Sequence, residues 1–532
     1  MKTGLPDPSF GVNGEVDLRL DWDQQVDPKA GVAGLHSPPL IIGNTLVVGT
    51  APSALVKAYV RGYDVRTGKR KWIFHTIPMK GEFGYDTWQP GQAETAGNTG
   101  VWAPMSADPE LGLVYLPVET PPTDGVGVTR MGNTLYSETL VAVEVETGAR
   151  RWHYQVVHHG LWDTDLPAAP ILCDIPHDGK TVKALAQPSK QGFLYVLDRA
   201  TGKPVFPIPE TKVPKGDAPG EWYSPTQPVP SKPPPFDHPG FSVNDLNDWT
   251  PEINARARAI AAQYNMGPYF VPPAFVTPDS KIKGTLGPGF QGGGNWPGGS
   301  YDPENYTVYI YSKTAPEVVS IVADANGKLS HKLTVPPPTQ DADSGSFGGT
   351  ASIKGGTAAR GGLLPNLKDG LNDPVTPGLM SVAGLPINKP PYGRITALDL
   401  SKGVISWQVA HGETPDFIRN NPLLKGLTIP RTGQAAILGV LTTKSLVICG
   451  DGGLFTDEKG RKAARLRAYD KRTGAEVGAV FMDKVQTGSP MTYMLGGRQY
   501  IVLATGGGHG SDLVAYRLPV NARPAAVRPQ EL

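Results

Sequence analysis

The sequence lacks the features that mark several large classes of protein. It has only two cysteines among 532 residues, Cys173 and Cys449, and they form neither a CxxC pair nor a CxxCH haem-attachment motif. It has no charge excess, because 50 Lys and Arg residues stand against 49 Asp and Glu residues. A basic patch for nucleic acid or anionic lipid is therefore not indicated. We expect no nucleic-acid partner and a small-molecule partner instead.

Long hydrophobic runs are also missing. The longest candidate, residues 434–450, is interrupted by Thr442, Thr443 and Lys444, and a bilayer requires about 18–20 consecutive apolar residues. Residues 1–14 contain one Lys followed by turn formers, not the basic and apolar leader of a secreted protein. We expect no transmembrane segment and no signal peptide in this chain.

Familiar catalytic and cofactor motifs are absent too. The sequence has no GxxxxGK[ST], no HExxH and no GxSxG. The GGGHG run at 506–510 lies between two strand-like segments, whereas a dinucleotide site needs a strand followed by a helix. We interpret GGGHG as a hairpin turn.

Glycine and proline are abundant, with 65 and 54 residues, which is close to double their ordinary use. So many chain-breaking residues exclude a helical bundle or a long coiled coil. Since 39% of the residues are hydrophobic, the chain can still bury a large core. The composition indicates an all-β protein with many turns.

One motif recurs five times: a β-type run, an acidic residue, two variable positions, a Thr-Gly or Lys-Gly pair, and then a Trp or an apolar residue. The copies are VRGYDVRTGKRKW (60–72), LVAVEVETGARRW (140–152), LYVLDRATGKPVF (194–206), ITALDLSKGVISW (395–407) and LRAYDKRTGAEVG (466–478). Each copy predicts a strand, a tight turn and a second strand, because the acid can cap the turn and the Gly supplies positive φ. The final Trp is free to pack between neighbouring sheets.

A β-propeller explains this pattern best, with one motif for each four-stranded blade. A β-sandwich and a parallel β-helix are alternatives, but neither accounts for the recurring acid, Thr-Gly and Trp. We predict one propeller domain over 1–532, with a Pro-rich insertion at 204–290. Within the insertion, TPEINARARAIAAQY (250–264) predicts a short helix capped by Thr250. Lys2-Thr3-Gly4 matches the end of a repeat, so we expect a propeller that is incomplete at its N-terminus.

The densest set of chemically active side chains is VVHHGLWDTDLPAAP at 156–170, with two His, one Trp and two Asp. A partly desolvated carboxylate has a raised pKa and suits general base catalysis. The alternative is a structural Trp-Asp corner beside solvated histidines. The residues alone leave both interpretations open.

Several long motifs, in order along almost the whole chain, resemble the pyrroloquinoline quinone (PQQ) dependent dehydrogenases, and most closely the quinoprotein glucose dehydrogenase type. They are HHGLWDTDLPAAP, ALAQPSKQGFLYVLDRATGKPVFPI, SPTQP, GGGNWPGGSYDP, PPYGRITALDL and GSPMTYMLGGRQYIVLATGGGHG. The resemblance implies an eight-bladed propeller that holds PQQ on its axis.

The resemblance also implies roles for individual residues. Asp163 would be the catalytic base and a metal ligand, and Lys190 would contact the PQQ quinone and act in catalysis. Trp102 would be the platform on which PQQ stacks. The other implied cofactor contacts are Thr120, Asn295, Trp296 and Ser312.

The chain departs from the family in its calcium ligands. Related enzymes have acidic or amide residues in an early blade, but TAPSALVKAYVRG at 50–62 has no carboxylate. Calcium prefers six to eight oxygen ligands, usually including carboxylates, and Asp163 is the only obvious one here. We therefore expect PQQ as a cofactor and leave calcium open.

The resemblance implies oxidation of a glucose-like aldose or an alcohol hydroxyl by hydride transfer to PQQ, with electrons passed to a quinone acceptor. It also implies a periplasmic location. The alternative is a non-catalytic propeller scaffold or a truncated, inactive relative of these enzymes.

Overall fold

Strands dominate the computed structural model, which describes residues 4–24, 34–50, 56–334, 380–506 and 510–517. Those before the insertion are β1 (Leu40–Ile42), β2 (Thr45–Val48), β3 (Val60–Asp64), β4 (Arg70–Phe74), β5 (Ser106–Asp108), β6 (Leu113–Pro117), β7 (Thr139–Glu144), β8 (Arg150–Gln155), β9 (Ile171–His177), β10 (Lys180–Pro188) and β11 (Leu194–Asp198). The next are β12 (Glu210–Lys212), β13 (Thr226–Pro228), β14 (Ala274–Phe275), β15 (Thr285–Gly287), β16 (Gly299–Asp302), β17 (Thr307–Lys313), β18 (Glu317–Ala323) and β19 (Leu329–Thr334).

The strands after residue 380 are β20 (Ser381–Val382), β21 (Leu385–Pro386), β22 (Gly393–Asp399), β23 (Val404–Ala410), β24 (Leu441–Thr442), β25 (Leu446–Gly450), β26 (Phe455–Thr456), β27 (Lys462–Asp470), β28 (Glu476–Met482), β29 (Val485–Gln486), β30 (Met491–Leu495), β31 (Arg498–Gly506) and β32 (Asp512–Arg517). The α-helices are α1 (Gln92–Thr95), α2 (Pro251–Ala261) and α3 (Asp416–Arg419). No helix in the described ranges is long and apolar enough to cross a membrane.

Six antiparallel sheets of the blade type follow one another along the described residues. We name them sheet A (β1–β4), B (β5–β8), C (β9–β11), D (β16, β17, β22 and β23), E (β24, β25, β27 and β28) and F (β29–β32). Sheet C has three strands, and Leu197 bridges to Pro204 where a fourth would run. This succession is a β-propeller, as the repeats predict. A sandwich would have two facing sheets, and a β-helix would have parallel strands.

The five repeats form the turns between the last two strands of these blades. Their acidic residues end β3, β7, β11, β22 and β27. In the first copy, the Asp64 carboxylate accepts hydrogen bonds from the backbone N–H groups of Arg66 (3.1 Å) and Thr67 (2.8 Å). Gly68 then takes a φ of 70°, which L side chains rarely adopt. The turn chemistry read from the sequence is confirmed.

The Trp at the end of a repeat packs on the turn of the next sheet. Trp72 donates from Nε1 to the Val145 carbonyl (2.9 Å), and its ring covers Gly148, where a Cβ would lie 2.6 Å from a ring carbon. Trp152 and Trp407 make the same bond to the carbonyls of Arg199 (3.1 Å) and Lys471 (3.0 Å). These rings fix sheet A against B, B against C and D against E.

The insertion also packs on the propeller. Its helix α2 begins after Thr250, whose Oγ1 accepts a hydrogen bond from Ile253 N (3.2 Å), so the predicted helix and cap are confirmed. The buried face of α2 joins a core cluster that includes residues of β18, β20 and β21. Strands β14 and β15 pair with β18, which lies beyond the predicted boundary at 290. The domain boundaries themselves remain a prediction.

Three expectations concern residues outside this description. Lys2 and Thr3 are not described, and neither are residues 51–55 of the segment without a carboxylate or residues 507–509 of GGGHG. The eight-blade count and the incomplete N-terminus therefore remain predictions, since the described ranges contain six sheets of the blade type.

Candidate functional site

Four chain connections meet between sheets B and C. Trp102 lies before β5, Thr120 follows β6, the loop 156–170 joins β8 to β9, and Lys190 lies in the turn between β10 and β11. Asp163 has a φ of 50°, a conformation that Asp adopts more readily than most side chains. The structure therefore brings together residues that are up to 88 positions apart.

Lys190 is held between two carboxylates. Its Nζ lies 3.0 Å from Asp163 Oδ2 and 2.7 Å from Asp165 Oδ2. The Lys190 and Asp165 side chains are buried, whereas Asp163 keeps 23% of its side-chain surface exposed. Asp163 is therefore the member of this cluster that a ligand can reach.

The charges in the cluster shift the pKa values of both partners. Burial raises the pKa of Asp163 well above its usual value, and nearby Asp165 adds to the increase while Lys190 opposes it. Burial alone would lower the pKa of Lys190, but Asp163 and Asp165 together raise it above its ordinary value. Lys190 is thus a permanent cation beside a carboxyl group that takes up a proton easily.

Trp102 and Thr120 belong to the same cluster through Asp165. Trp102 Nε1 donates to Asp165 Oδ2 (3.2 Å), and Thr120 N donates to Asp165 Oδ1 (2.7 Å). Asp165 therefore orients Lys190 and ties it to two other predicted site residues. Asp165 was not among the predicted site residues, although it lies only two residues after Asp163 in the same motif.

A second buried acid, Glu138, lies beneath the cluster. Its Oε1 accepts hydrogen bonds from Thr164 Oγ1 (2.7 Å) and Thr120 Oγ1 (3.0 Å). Its Oε2 has no hydrogen-bond partner among the described residues. Burial raises the pKa of Glu138 to about 7. The sequence shows only an acid at the start of a strand and gave no reason to select it.

The other three predicted residues make local contacts. Asn295 donates from Nδ2 to the Gln291 carbonyl (3.1 Å) and accepts from Trp296 N (2.8 Å). Trp296 is 36% exposed. Ser312 is fully buried, and its Oγ lies 3.4 Å from the Phe236 carbonyl. No hydrogen bond in the described part of the chain joins these side chains to the Asp163 cluster.

Their glycine-rich segment nevertheless approaches the cluster. Gly293 N donates to the Lys190 carbonyl (2.8 Å), and a Cβ on Gly292 would lie 2.2 Å from that same carbonyl oxygen. The backbone of the glycine-rich segment therefore packs directly against the turn that carries Lys190. A role for Asn295, Trp296 and Ser312 in cofactor binding remains a prediction.

A pocket of about 650 Å³, including its open mouth, lies beside Lys190. Trp162, Thr164 and Gln191 line it on the propeller side. Residues of the insertion form most of the opposite wall; the aromatic ones are Phe241, Tyr269, Phe270 and Phe290. Both polar atoms of the buried Gln191 amide lack hydrogen-bond partners within the described protein. The pocket therefore combines an apolar wall with unsatisfied polar groups beside a cation, as small-molecule sites do.

A buried pair holds the loop that carries Asp163. His159 Nε2 lies 3.1 Å from Glu221 Oε1, and neither side chain has any exposed surface. Glu221 Oε2 also accepts a hydrogen bond from Gly127 N (2.6 Å). Burial lowers the pKa of His159, while its hydrogen bond to Glu221 opposes the shift. Glu221 belongs to the insertion and was not found from the sequence, because 62 residues separate it from its partner.

The described residues include no group of three or more His, Cys, Asp or Glu side chains arranged to hold a metal ion. The carboxylate of Asp163, the predicted metal ligand, is engaged with Lys190. Both cysteines are buried and free. The acidic side chains in the described ranges therefore do not by themselves form a calcium cage.

The antiparallel blades and their Trp-covered turns define a β-propeller. The family described as "PQQ: Glucose/ethanol/alcohol dehydrogenase, beta-propeller domain" matches residues 1–501. The chain belongs to this family.

Relatives of known function are similar over nearly the whole chain. The quinate/shikimate dehydrogenase (quinone) of Acinetobacter baylyi is 31% identical, over 97% of this chain and 61% of its own length. The quinoprotein glucose dehydrogenase of Escherichia coli is 30% identical, over 96% of this chain and 60% of its own length. The chain thus spans about three fifths of the length of these relatives.

Solved structures agree on the fold. The quinohemoprotein alcohol dehydrogenase of Comamonas testosteroni aligns with a TM-score of 0.54 and 21% identity, over 88% of this chain and 55% of that one. A europium-containing methanol dehydrogenase aligns with a TM-score of 0.52 and 18% identity, over 88% of this chain and 65% of that one. At these identities the similarity concerns the fold alone.

Proposed function

We propose that this chain is the propeller of a PQQ-dependent dehydrogenase that oxidises a CH–OH group of a sugar or an alcohol and passes the electrons to a quinone acceptor. The observation that carries the proposal is the Asp163–Lys190 pair beside an aromatic-walled pocket. The names of the relatives support the reaction class and leave the substrate open between aldoses, hydroxy acids and alcohols. By the family resemblance, we also propose a periplasmic location.

The residues between sheets B and C fit PQQ, a planar and anionic cofactor. Lys190 provides a cation, Gln191 has an amide without partners, and Trp102 has a partly exposed indole beside Asp165. We propose that Lys190 and Trp102 hold the cofactor, with Thr120, Asn295, Trp296 and Ser312 as further contacts. PQQ, when bound, supplies a two-electron acceptor for the hydride of the substrate.

The protein residues then have separate tasks. Asp163 takes the proton from the substrate hydroxyl, because its raised pKa makes it a stronger base than an ordinary Asp. Lys190 stabilises the negative charge that develops next to it in a site with little water. Asp165 keeps the Lys190 ammonium in place through its own bonds to Trp102 and Thr120.

The family resemblance also implies calcium, which prefers six to eight oxygen ligands that usually include carboxylates. Since the described carboxylates do not form a cage around one point, we derive no step through a metal ion. The missing cage is also the observation that favours a second candidate function, a propeller scaffold that performs no oxidation. Binding of PQQ separates the two candidates, because a scaffold has no need of it.

The test uses the full chain with PQQ, with and without added Ca²⁺. We expect saturable PQQ binding by absorbance titration, and reduction of an artificial dye in the presence of an aldose, quinate or an alcohol. Asp163→Asn should retain the PQQ binding and lose at least 100-fold in rate, in line with removal of a general base. No saturable binding of PQQ would favour the scaffold.

The structure offers a matched control for this variant. Asp178 also has a positive φ, 48°, and its side chain is 91% exposed on the β9–β10 turn. Asn tolerates this backbone conformation as well as Asp does. Asp178→Asn should therefore keep the full rate of oxidation, and an equal loss in both variants would contradict the assignment of Asp163.

A further inference from the structure

Lys313, the last residue of β17, is a buried cation without an ion pair in the described chain. Only 5% of its surface is exposed. Its Nζ donates a hydrogen bond to Gln291 Oε1, a neutral amide oxygen. A buried ammonium that lacks an opposite charge is costly, and proteins generally pair such groups or bind an anion there.

The acids near Lys313 do not neutralise it by direct contact. Among these acids, Glu317 raises the pKa of Lys313 most, followed by Asp237. Glu317 instead accepts a hydrogen bond from Phe290 N (2.8 Å), and burial raises the pKa of its carboxyl group. Burial, together with the like charge of Lys190, lowers the pKa of Lys313 to about 8. Lys313 still carries its charge at neutral pH.

The backbone of one residue, Gly293, connects Lys313 to the site by hydrogen bonds to both lysines. Lys313 N donates to the Gly293 carbonyl (3.1 Å), and Gly293 N donates to the Lys190 carbonyl (2.8 Å). Lys190 is followed by Gln191, whose amide has no hydrogen-bond partner among the described residues. The two lysines differ in one respect: two carboxylates balance the charge of Lys190, and no carboxylate in the described ranges contacts Lys313.

We propose that Lys313 is an anion subsite, which binds a carboxylate group of a ligand in the neighbouring Lys190 site. This inference rests on the proposed function for the identity of the ligand. Two sources carry the required chemistry: PQQ, which has three carboxylates, and a hydroxy-acid substrate. The quinate dehydrogenase among the relatives acts, by its name, on a hydroxy acid.

The first test needs no ligand. Lys313→Met replaces a buried charge by an apolar chain of similar length, so the melting temperature of the ligand-free protein should stay the same or rise. Lys328, exposed in the β18–β19 turn, provides the control Lys328→Met. A clear fall for Lys313→Met, with none for Lys328→Met, would mean that Lys313 stabilises the fold through its acidic neighbours, and would overturn the proposal.

The second test measures ligand binding by the rise in melting temperature, since a ligand that binds the folded state stabilises it. The probes are PQQ, quinate and methyl quinate, which differs from quinate by the loss of its negative charge. Lys313→Met should weaken binding of PQQ or of quinate at least 10-fold, and Lys313→Arg should retain most of it. Methyl quinate should bind the wild type and Lys313→Met equally.

The ligands that lose affinity for Lys313→Met identify the source of the carboxylate. A loss for PQQ alone assigns Lys313 to the cofactor, and a loss for quinate alone assigns it to the substrate. Unchanged binding of both overturns the subsite. If the wild type binds neither, the proposed function fails on its own, and benzoate becomes the probe. Benzoate that stabilises the wild type but not Lys313→Met retains the subsite, and an equal response of both proteins rejects it.

Discussion

Burial of Glu138 makes the stability of the protein depend on pH. Its carboxyl group lies beneath Asp163 and Asp165, bound to two threonine hydroxyls on one oxygen and to nothing on the other among the described residues. With a folded pKa of about 7 against an ordinary value of 4.5, the native protein keeps this proton where the unfolded chain has released it. Glu138 therefore contributes stability at low pH that is lost as pH rises through 7.

We predict that Glu138→Gln removes this dependence. The amide keeps an acceptor for the threonine hydroxyls and does not ionise. The unfolding free energy of the variant, measured against wild type by urea unfolding, should gain up to about 3 kcal/mol between pH 5 and pH 8. Glu110→Gln, at an exposed position, is the control. A difference between Glu138→Gln and wild type that does not change with pH would show that Glu138 does not titrate in this range.

The pKa of Asp163 predicts the pH dependence of the proposed reaction. Because burial raises this pKa, the protonated and inactive form of the base persists to higher pH than it would for an ordinary Asp. The rate of dye reduction at low substrate should increase with pH along an acid limb whose midpoint lies well above 3.8. A limb with its midpoint near 4 would mean that another group is the base.

At the scale of single elements, the contact between a Trp and the next turn is the repeated unit of this fold. The Trp supplies a flat ring and one N–H donor, and the turn supplies a glycine face and one carbonyl. The copies are not equivalent, however. The Arg199 carbonyl also accepts a hydrogen bond from Tyr115 Oη (3.0 Å), whereas Trp72 is the only side-chain donor to the Val145 carbonyl among the residues that the structure describes.

This difference predicts unequal effects of the same substitution. Trp72→Phe and Trp152→Phe remove the same ring volume from equally buried sites. Only Trp72→Phe leaves its carbonyl without a side-chain donor, so it should destabilise the protein by about 1–2 kcal/mol more than Trp152→Phe. Thermal or urea unfolding of the two variants measures this difference directly. Equal losses would indicate that ring packing alone stabilises the turns.

The repeats were predictable because they are local: the acid, the glycine and the Trp occur within 13 residues and impose their own geometry. Helix α2 was predictable for the same reason, from Thr250 and Pro251. The Asp163–Lys190 pair followed from a resemblance, since its members lie in motifs that recur together. Asp165, Glu221 and Lys313 carry no such local pattern. Their importance comes from burial and from partners that are distant along the chain, which a single sequence does not reveal.

At the scale of the whole molecule, the insertion and the propeller are joined by two neighbouring histidines. His159 meets Glu221 inside the protein, and His158 meets Glu210 at 3.0 Å on its surface, where half of the Glu210 side chain is exposed. Both glutamates belong to the insertion. The buried pair fixes the loop that presents Asp163, and the surface pair lies in water.

We predict that Glu221→Ala costs more than about 3 kcal/mol of stability, because it leaves a buried imidazole and the Gly127 N–H without an acceptor. Glu210→Ala should cost less than about 1 kcal/mol, as an exposed pair does. Urea unfolding provides both values. Similar losses for the two variants would contradict the idea that the buried pair joins the insertion to the catalytic loop.

Two separate parts of the chain, the propeller connections and the insertion, form the two sides of the pocket. The residues proposed to perform the oxidation come from connections of the propeller sheets, while Phe241, Tyr269, Phe270 and Phe290 come from a separate stretch of chain. The Trp162 side chain donates a hydrogen bond from Nε1 to the Val271 carbonyl (2.9 Å) and so fastens that stretch to the loop 156–170. Grafting residues 239–290 from a relative, with the acceptor at 271 retained, is thus a route to new substrate ranges. Under the proposed function, such a chimaera should keep the reaction and inherit the substrate preference of its donor, so evolution can change the pocket wall while the reacting residues stay the same.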